Sequence, residues 1–282
     1  DGMASLRPGG LQKSPFLYAL RTPSAMTETA GFLERDGAAL AWRRLAGERP
    51  TVVWLGGFGS EMTGTKAAAL ADWARARGRA FLRFDYFGHG RSGGRFEEGV
   101  ITRWRADALA AIDELTSGPL VLVGSSMGGW LACLAAMARP ERTSALVLIA
   151  PAADFTEKLL APNLPPEGRA ALAREGVWSR GPGAPPITRA LVEDGERWSI
   201  LPGPVAVSVP VRILQGAEDT EVPWTHALDL ARAFKGEDVV FILIGDGDHR
   251  LSRPRDLRRI ISTVEEVLSI DEAPAFAAQK IE

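Results

Sequence analysis

A serine hydroxyl is a poor nucleophile until a neighbouring base removes its proton, and that base works best when a carboxylate orients it. One serine in the sequence has a setting suited to this chemistry. Gly124-Ser125-Ser126-Met127-Gly128 follows four apolar residues, Leu120 to Val123, and precedes an Ala- and Leu-rich run from Trp130 to Met137. Strand, G-x-S-x-G and helix form a nucleophile elbow, whose tight turn lifts the middle serine out of the sheet. With 30 glycines in 282 residues the bare pattern arises readily by chance, so the flanking strand and helix carry the assignment to Ser126. Ser125, at the variable position, reads as a packing or backbone-bonding residue.

Only three histidines are available as the base. His226 falls in a helical stretch and reads as a surface or packing residue. His89 lies in a glycine-rich loop after a strand ending at Asp85, which makes it a genuine rival. His249 directly follows the last strand-like run and comes after both the serine and an acid, the chain order that elbow architectures use. The sequence therefore favours His249 as base and Asp219 as the acid, with Asp154 as the alternative location for the carboxylate. Glu218 and Glu221 read as solvated loop charges, and Asp246 and Asp248 compete only in an unusual geometry. An oxyanion needs two N–H donors in place before its charge develops. The backbone of Met127 supplies one, and Phe58, in the turn Gly56-Gly57-Phe58-Gly59, is the best candidate for the other. Two glycines in that turn suit mere close packing equally well.

The elements that must position these groups alternate along the chain. A hairpin is expected from Phe32 to Leu45 about Asp36-Gly37. Strands follow at 51–55, 80–84, 120–123, 144–149, 209–215 and 239–244. Helices fall at 65–77, 101–115, 130–137, 224–234 and 254–268. Such alternation predicts an α/β fold with a mostly parallel central sheet flanked by helices. The turns that carry the chemistry all follow strands, so they collect at the carboxyl edge of that sheet. Residues 26–151 and 210–270 thus read as one core. Residues 152–209 interrupt the pattern and are expected to form a small helical cap over that edge, since a structureless loop of this length is improbable in a compact domain. Phe155, Leu159 and Trp178 in the cap are candidates for lining a substrate pocket, with Met127 beside them. Residues 1–25 read as a targeting leader or an expression remnant, and 271–282 as a peripheral tail.

Composition narrows the function classes. The net charge is −2 with no sustained basic block, which argues against a nucleic-acid partner. No stretch approaches the ~18 apolar residues that a membrane-spanning helix needs. The single Cys133 cannot form an internal disulfide, which suits a reducing, cytoplasmic setting, or a mitochondrial one if residues 1–25 are a leader. No Cys/His cluster has metal-ligand spacing and no phosphate-binding loop is present, so neither metal nor cofactor is expected.

Several blocks are more specific than any single motif: GGFGSEMTGTKA (56–67), RFDYFGHGRSGG (83–94), GSSMGGW (124–130), GVWS (176–179), and GAEDTEVPW together with GDGDHR. In these blocks the chain resembles the α/β-hydrolase superfamily, and within it the mycophenolic acid acyl-glucuronide esterase and palmitoyl-protein thioesterase subfamily. The resemblance implies Ser126 as nucleophile, Asp219 as acid and His249 as base, without metal or cofactor. It also implies S-acylated protein or acyl glucuronide substrates, and mitochondrial location for eukaryotic members. Where a more familiar esterase has His-Gly before its oxyanion residue, this chain has Gly56-Gly57, which leaves a backbone donor intact. The expected activity is hydrolysis of carboxylic esters or thioesters, with a small-molecule or acylated substrate as the partner. A non-turnover ligand-binding protein, or a cofactor-free haloperoxidase or acyltransferase, is the alternative on the same fold.

Overall fold

Short apolar runs bounded by glycine set the frame of the molecule, a computed structural model that describes residues 26–201 and 203–270. The expected leader or remnant (1–25) and the tail (271–282) lie outside the described residues. Strands β1 (Glu28–Arg35) and β2 (Ala38–Leu45) pair antiparallel about Asp36 and Gly37, whose φ of 45° and 78° form the left-handed pair that a two-residue hairpin turn requires. β1 begins four residues earlier than its hydrophobic pattern suggests. Its ladder with β2 extends to Glu28 opposite Leu45, and Glu28 there receives the guanidinium of Arg83 at 2.7 Å.

The alternating part follows: β3 (Glu48–Leu55), α1 (Thr65–Arg77), β4 (Arg79–Phe84), α2 (Ile101–Leu115), β5 (Leu120–Ser125), α3 (Met127–Ala138) and β6 (Thr143–Ile149). A π-helical turn (Thr156–Leu160) then leads through α4 (Ala161–Asn163), α5 (Pro166–Glu175), β7 (Val177–Trp178), β8 (Ile187–Thr188) and α6 (Arg189–Gly195). The core resumes with β9 (Val211–Gly216), α7 (Trp224–Ala233), β10 (Val239–Ile244) and α8 (Pro254–Ile270). Eight strands form one sheet in the order β1-β2-β4-β3-β5-β6-β9-β10, parallel from β4 to β10. This is the mostly parallel, helix-flanked α/β architecture expected from the alternation.

The sheet is covered on both faces, which is why its strands read as nearly continuous apolar runs. Trp104 and Ile112 of α2, Trp130 and Leu134 of α3 and Leu230 of α7 pack into the core on one face. Leu70 and Trp73 of α1 and Ile260, Val264 and Leu268 of α8 pack on the other. Each such side chain withdrawn from water contributes roughly 1.5–3 kcal/mol. No described helix is long and apolar enough to cross a membrane.

Segment 152–209 is less uniformly helical than expected. Gly181, Gly183 and three prolines at 182, 185 and 186 interrupt any helix, because proline lacks the N–H a helix needs. The flanking Val177–Trp178 and Ile187–Thr188 pair instead as a two-stranded ribbon. A small cluster of Leu164, Leu172 and Ile187, with Leu160 and Trp178 against it, holds the segment together.

Candidate active site

The site is built on the turn between β5 and α3. Ser126 adopts φ 56° and ψ −122°, a conformation non-glycine residues avoid. It persists because the flanking glycines let backbone pass where no side chain fits. A Cβ at Gly124 would overlap the Gly128 carbonyl, and one at Gly128 would overlap the carbonyl oxygen of Leu55. The turn is so tight that α3 starts at Met127, three residues before its apolar periodicity becomes readable. Ser125 ends β5 as a buried residue.

His249, five residues beyond the end of β10, brings its ring to Ser126. Its Nε2 lies 3.1 Å from Ser126 Oγ and its Nδ1 lies 2.8 Å from Asp219 Oδ2. An ionised carboxylate can only accept, so Nδ1 carries the proton and Nε2 is left to accept from the serine hydroxyl. Asp219 sits in the loop after β9 with its side chain fully buried. Its Oδ1 accepts the N–H groups of Glu221 (2.9 Å) and Val222 (2.8 Å), and its Oδ2 also accepts Gln215 Nε2 at 2.9 Å. Burial alone would raise this carboxyl, but hydrogen bonds from His249, the Val222 N–H and Gln215 outweigh it and hold Asp219 below the usual range. Glu221 also approaches the ring, with Oε2 3.9 Å from His249 Nε2.

The turn after β3 closes against the serine. Gly57 is so near that a Cβ there would stand 3.3 Å from Ser126 Cβ. The Phe58 and Met127 N–H groups have no acceptor among the described residues. Both residues line the cleft that holds Ser126. The Phe58 ring is held in an aromatic nest, with centroids 5.0 Å from Phe96, 5.8 Å from Trp104 and 5.7 Å from Phe155.

The other residues weighed as acids or bases are occupied elsewhere. His226 faces the carbonyl of Ala153 at 2.8 Å. Asp154, with φ 53°, accepts Ile200 N–H, Leu201 N–H and Ser199 Oγ. Asp246 pairs with Arg253 and Arg255, and Asp248 accepts the Leu251 N–H.

His89 is only 2% exposed. Its Nδ1 lies 3.1 Å from the carbonyl oxygen of Phe87, and its Nε2 accepts the Gly59 N–H at 3.1 Å. Burial lowers its proton affinity, which favours the neutral ring this pattern requires. Nearby Asp85 accepts the Met62 N–H at 2.6 Å, so the loop after β4 grips the Phe58 turn at two points. Sequence reasoning could not find this, because Gly59 and His89 are 30 positions apart. Replacing His89 by Ala leaves the Gly59 N–H unpaired and is expected to lower kcat by about 10- to 100-fold. That is less than the ~10²–10³ reported for deleting an oxyanion donor outright. Steady-state kinetics beside a urea titration check this, and damage equal to loss of His249 would return His89 to the role of base.

A cleft of about 960 Å³ opens over Ser126 and His249, near the upper end of the ~300–1,000 Å³ typical of ligand sites. Phe58, Met127, Phe155, Leu159 and Trp178 all line it, as do Leu160, Leu164 and Ile187. Gln215 and Lys66 are the site neighbours that sequence reasoning missed. A lone glutamine in the otherwise apolar run Ile213-Leu214-Gln215 was a readable signal, because a buried amide needs partners. Among the described residues no group of three or more His, Cys, Asp or Glu could hold a metal ion. Cys133 is fully buried in α3, and desolvation pushes its thiol up, away from reactivity.

Comparison with known proteins gives this geometry its relatives. The family described as serine aminopeptidase, S33 (Hydrolase_4) matches residues 47–179. A curated relative, the mitochondrial palmitoyl-protein thioesterase ABHD10 of Bos taurus, is 35% identical over 274 residues, covering 95% of this chain and 88% of its own length. Among solved structures, a hydrolase from Agrobacterium vitis S4 is 42% identical with a TM-score of 0.81, over 86% of this chain and 98% of its own. Mouse α/β-hydrolase domain-containing protein 10 is 36% identical with a TM-score of 0.80, over 86% and 99%.

Proposed function

We propose, from the premise that this chain belongs to the ABHD10 palmitoyl-protein thioesterase family of the α/β-hydrolase superfamily, that Ser126, His249 and Asp219 form its catalytic triad. Membership makes the chain an ester or thioester hydrolase. The observation that supports the triad is the unbroken line of hydrogen bonds from Asp219 through His249 to Ser126, ending at a cleft that Phe58 and Met127 also line.

In this reading Ser126 Oγ attacks the acyl carbon while His249 Nε2 takes its proton. The oxyanion accepts the N–H groups of Phe58 and Met127. Collapse of the tetrahedral species breaks the bond to the leaving oxygen or sulfur, which departs with the proton from His249. Water, deprotonated by the same imidazole, then frees the acid from the acyl-enzyme. Residues 152–209 act as the cap, and Phe155, Leu159 and Trp178 supply the apolar wall for an acyl chain. S-acylated cysteine is the favoured substrate class, because the relatives are named for it and the cap offers that wall. The same relatives are named mitochondrial, which favours that compartment and gives no support to the cytoplasmic expectation.

A series of p-nitrophenyl esters from acetyl to palmitoyl, with an S-acyl peptide and a matched amide, tests the reading. Each methylene the cap buries is worth up to ~0.8 kcal/mol, so kcat/KM should rise a few-fold per added methylene until the wall is covered. A flat profile would remove the apolar acyl site. Preference for the amide would instead favour the peptidase activity in the matching family's description.

A further inference from the structure

Lys66 opens α1, a few residues after the Phe58 turn, and lines the cleft as a half-buried side chain. Its Nζ donates to the carbonyl oxygen of Arg250, the residue next to His249. An ammonium has three N–H donors, so two have no acceptor among the described residues. No carboxylate among the described residues forms an ion pair with it. A partly desolvated cation without a carboxylate is unfavourable unless something else supplies the negative charge. Desolvation accordingly lowers Lys66 to about 8, with Asp248 raising it and Arg250 lowering it further.

The chemistry of the cleft is divided. The apolar wall comes mainly from residues 155–187, whereas Ser60, Thr65, Lys66, Thr220, Arg250 and Ser252 contribute polar lining. His249 must pass its proton to the departing atom, so the leaving group lies on the imidazole's side, where Lys66 is tied to the next residue. Glu221 and the exposed Arg180 also line the cleft, Arg180 in the segment that supplies the apolar wall, so on the imidazole's side the pull on an anion comes from Lys66 and the exposed Arg250.

We propose that Lys66 is the anion-binding group of a leaving-group subsite, which receives a carboxylate or phosphate carried by the alcohol or thiol half of the substrate. This rests on the reading of Ser126 and His249 as catalytic. The anion would take the two free N–H groups and stand in for the missing carboxylate, with Arg250 free to swing toward it.

Matched thioesters test the subsite. S-octanoyl-N-acetylcysteine carries a carboxylate that S-octanoyl-N-acetylcysteamine lacks, and S-octanoyl-4′-phosphopantetheine carries a phosphate that S-octanoylpantetheine lacks. At least one anionic member should be favoured about 10-fold in kcat/KM, as one charge-assisted hydrogen bond allows, and whichever pair shows the preference identifies the anion. The ratio within a pair, measured on one enzyme at a time, cancels any loss common to both substrates. It should fall to about 1 in Lys66→Met and be retained in Lys66→Arg. In the unmodified enzyme it should shrink as pH rises through 8, where the free ammonium is lost, and as ionic strength rises. Equal rates for both pairs, or a preference that survives Lys66→Met, would overturn the subsite alone. Failure to turn over any thioester, or turnover that survives Ser126→Ala, would overturn the acyl-enzyme reading and the subsite together.

Discussion

Ser126→Ala should lower kcat/KM by roughly 10⁴–10⁶-fold while leaving the unfolding midpoint almost unchanged. Among the described residues Ser126 Oγ is bonded to His249 Nε2 alone, so under the proposed mechanism its removal deletes the attacking atom and little else. Alanine meets the same backbone strain at φ 56° that serine does, and neither leaves a large cavity. Ser125→Ala, one residue earlier, should be tolerated far better. His249→Ala should be as damaging as Ser126→Ala, and the double variant no worse than either, because a nucleophile and its base fail as one unit. Circular dichroism and the unfolding midpoint, measured beside the kinetics of each variant, separate these cases from simple misfolding. Reversed effects at Ser125 and Ser126 would move the nucleophile, and a double variant much worse than both singles would break the Ser126–His249 pairing.

Asp219→Asn is expected to cost about 10⁴-fold in kcat with the fold retained. All four hydrogen bonds to this carboxylate come from donors: Glu221 N–H and Val222 N–H on one oxygen, Gln215 Nε2 and His249 Nδ1 on the other. Asparagine has one oxygen and one NH₂, so one of those positions must set donor against donor. With the oxygen kept on the two backbone N–H groups, the NH₂ faces His249 Nδ1. The ring then moves its proton to Nε2 and offers Ser126 a donor instead of an acceptor. Asp219→Glu keeps the charge but carries it one methylene further into a fully buried site, so partial activity is expected there. Nitrogen-15 spectra of the imidazole report the tautomer directly. An active Asp219→Asn enzyme with Nδ1 still protonated would show that another group orients the base.

The contrast between what was legible in the sequence and what was not follows the range of the interactions. Helix α1 falls at Thr65–Arg77, as its alanine-rich run ending at Gly78 suggests. Strand β10 likewise matches its run of apolar residues, Val239–Ile244. These segments are decided locally, by periodicity and by the glycine that ends a helix. The starts of β1 and α3 precede their hydrophobic patterns because pairing with β2 and the strained turn at Ser126 settle them, and neither has a hydrophobic period. The ribbon of β7 and β8 leaves no trace in the sequence because two residues per strand give no pattern. The residues lining the candidate site fall into the same two groups. Ser126 and the turn holding Phe58 stand out by their glycine spacing. The bond from Lys66 to the Arg250 carbonyl spans 184 positions, and the grip of His89 on Gly59 spans 30. Such contacts exist only once the sheet has brought its loops to one edge.

Asp154 bears on how such an enzyme changes its diet. It stands just after β6, and its carboxylate holds Ser199, Ile200 and Leu201, so the start of the inserted segment is fastened to a stretch near its end. An insertion whose ends already meet adds little loop-closure entropy as it lengthens, on the order of 0.6 kcal/mol for each doubling. If residues 152–209 act as the proposed cap, Asp154 and its three partners mark a splice point, across which one such segment can be exchanged for another while the sheet and its turns stay intact. The graft would have to carry two residues across. Phe155 lies on the Phe58 ring, and Pro185 covers Gly59 so closely that a Cβ there would overlap it. A chimera that keeps this pair should inherit the donor's substrates with the recipient's chemistry. One that drops the pair should fold and bind, yet turn over slowly.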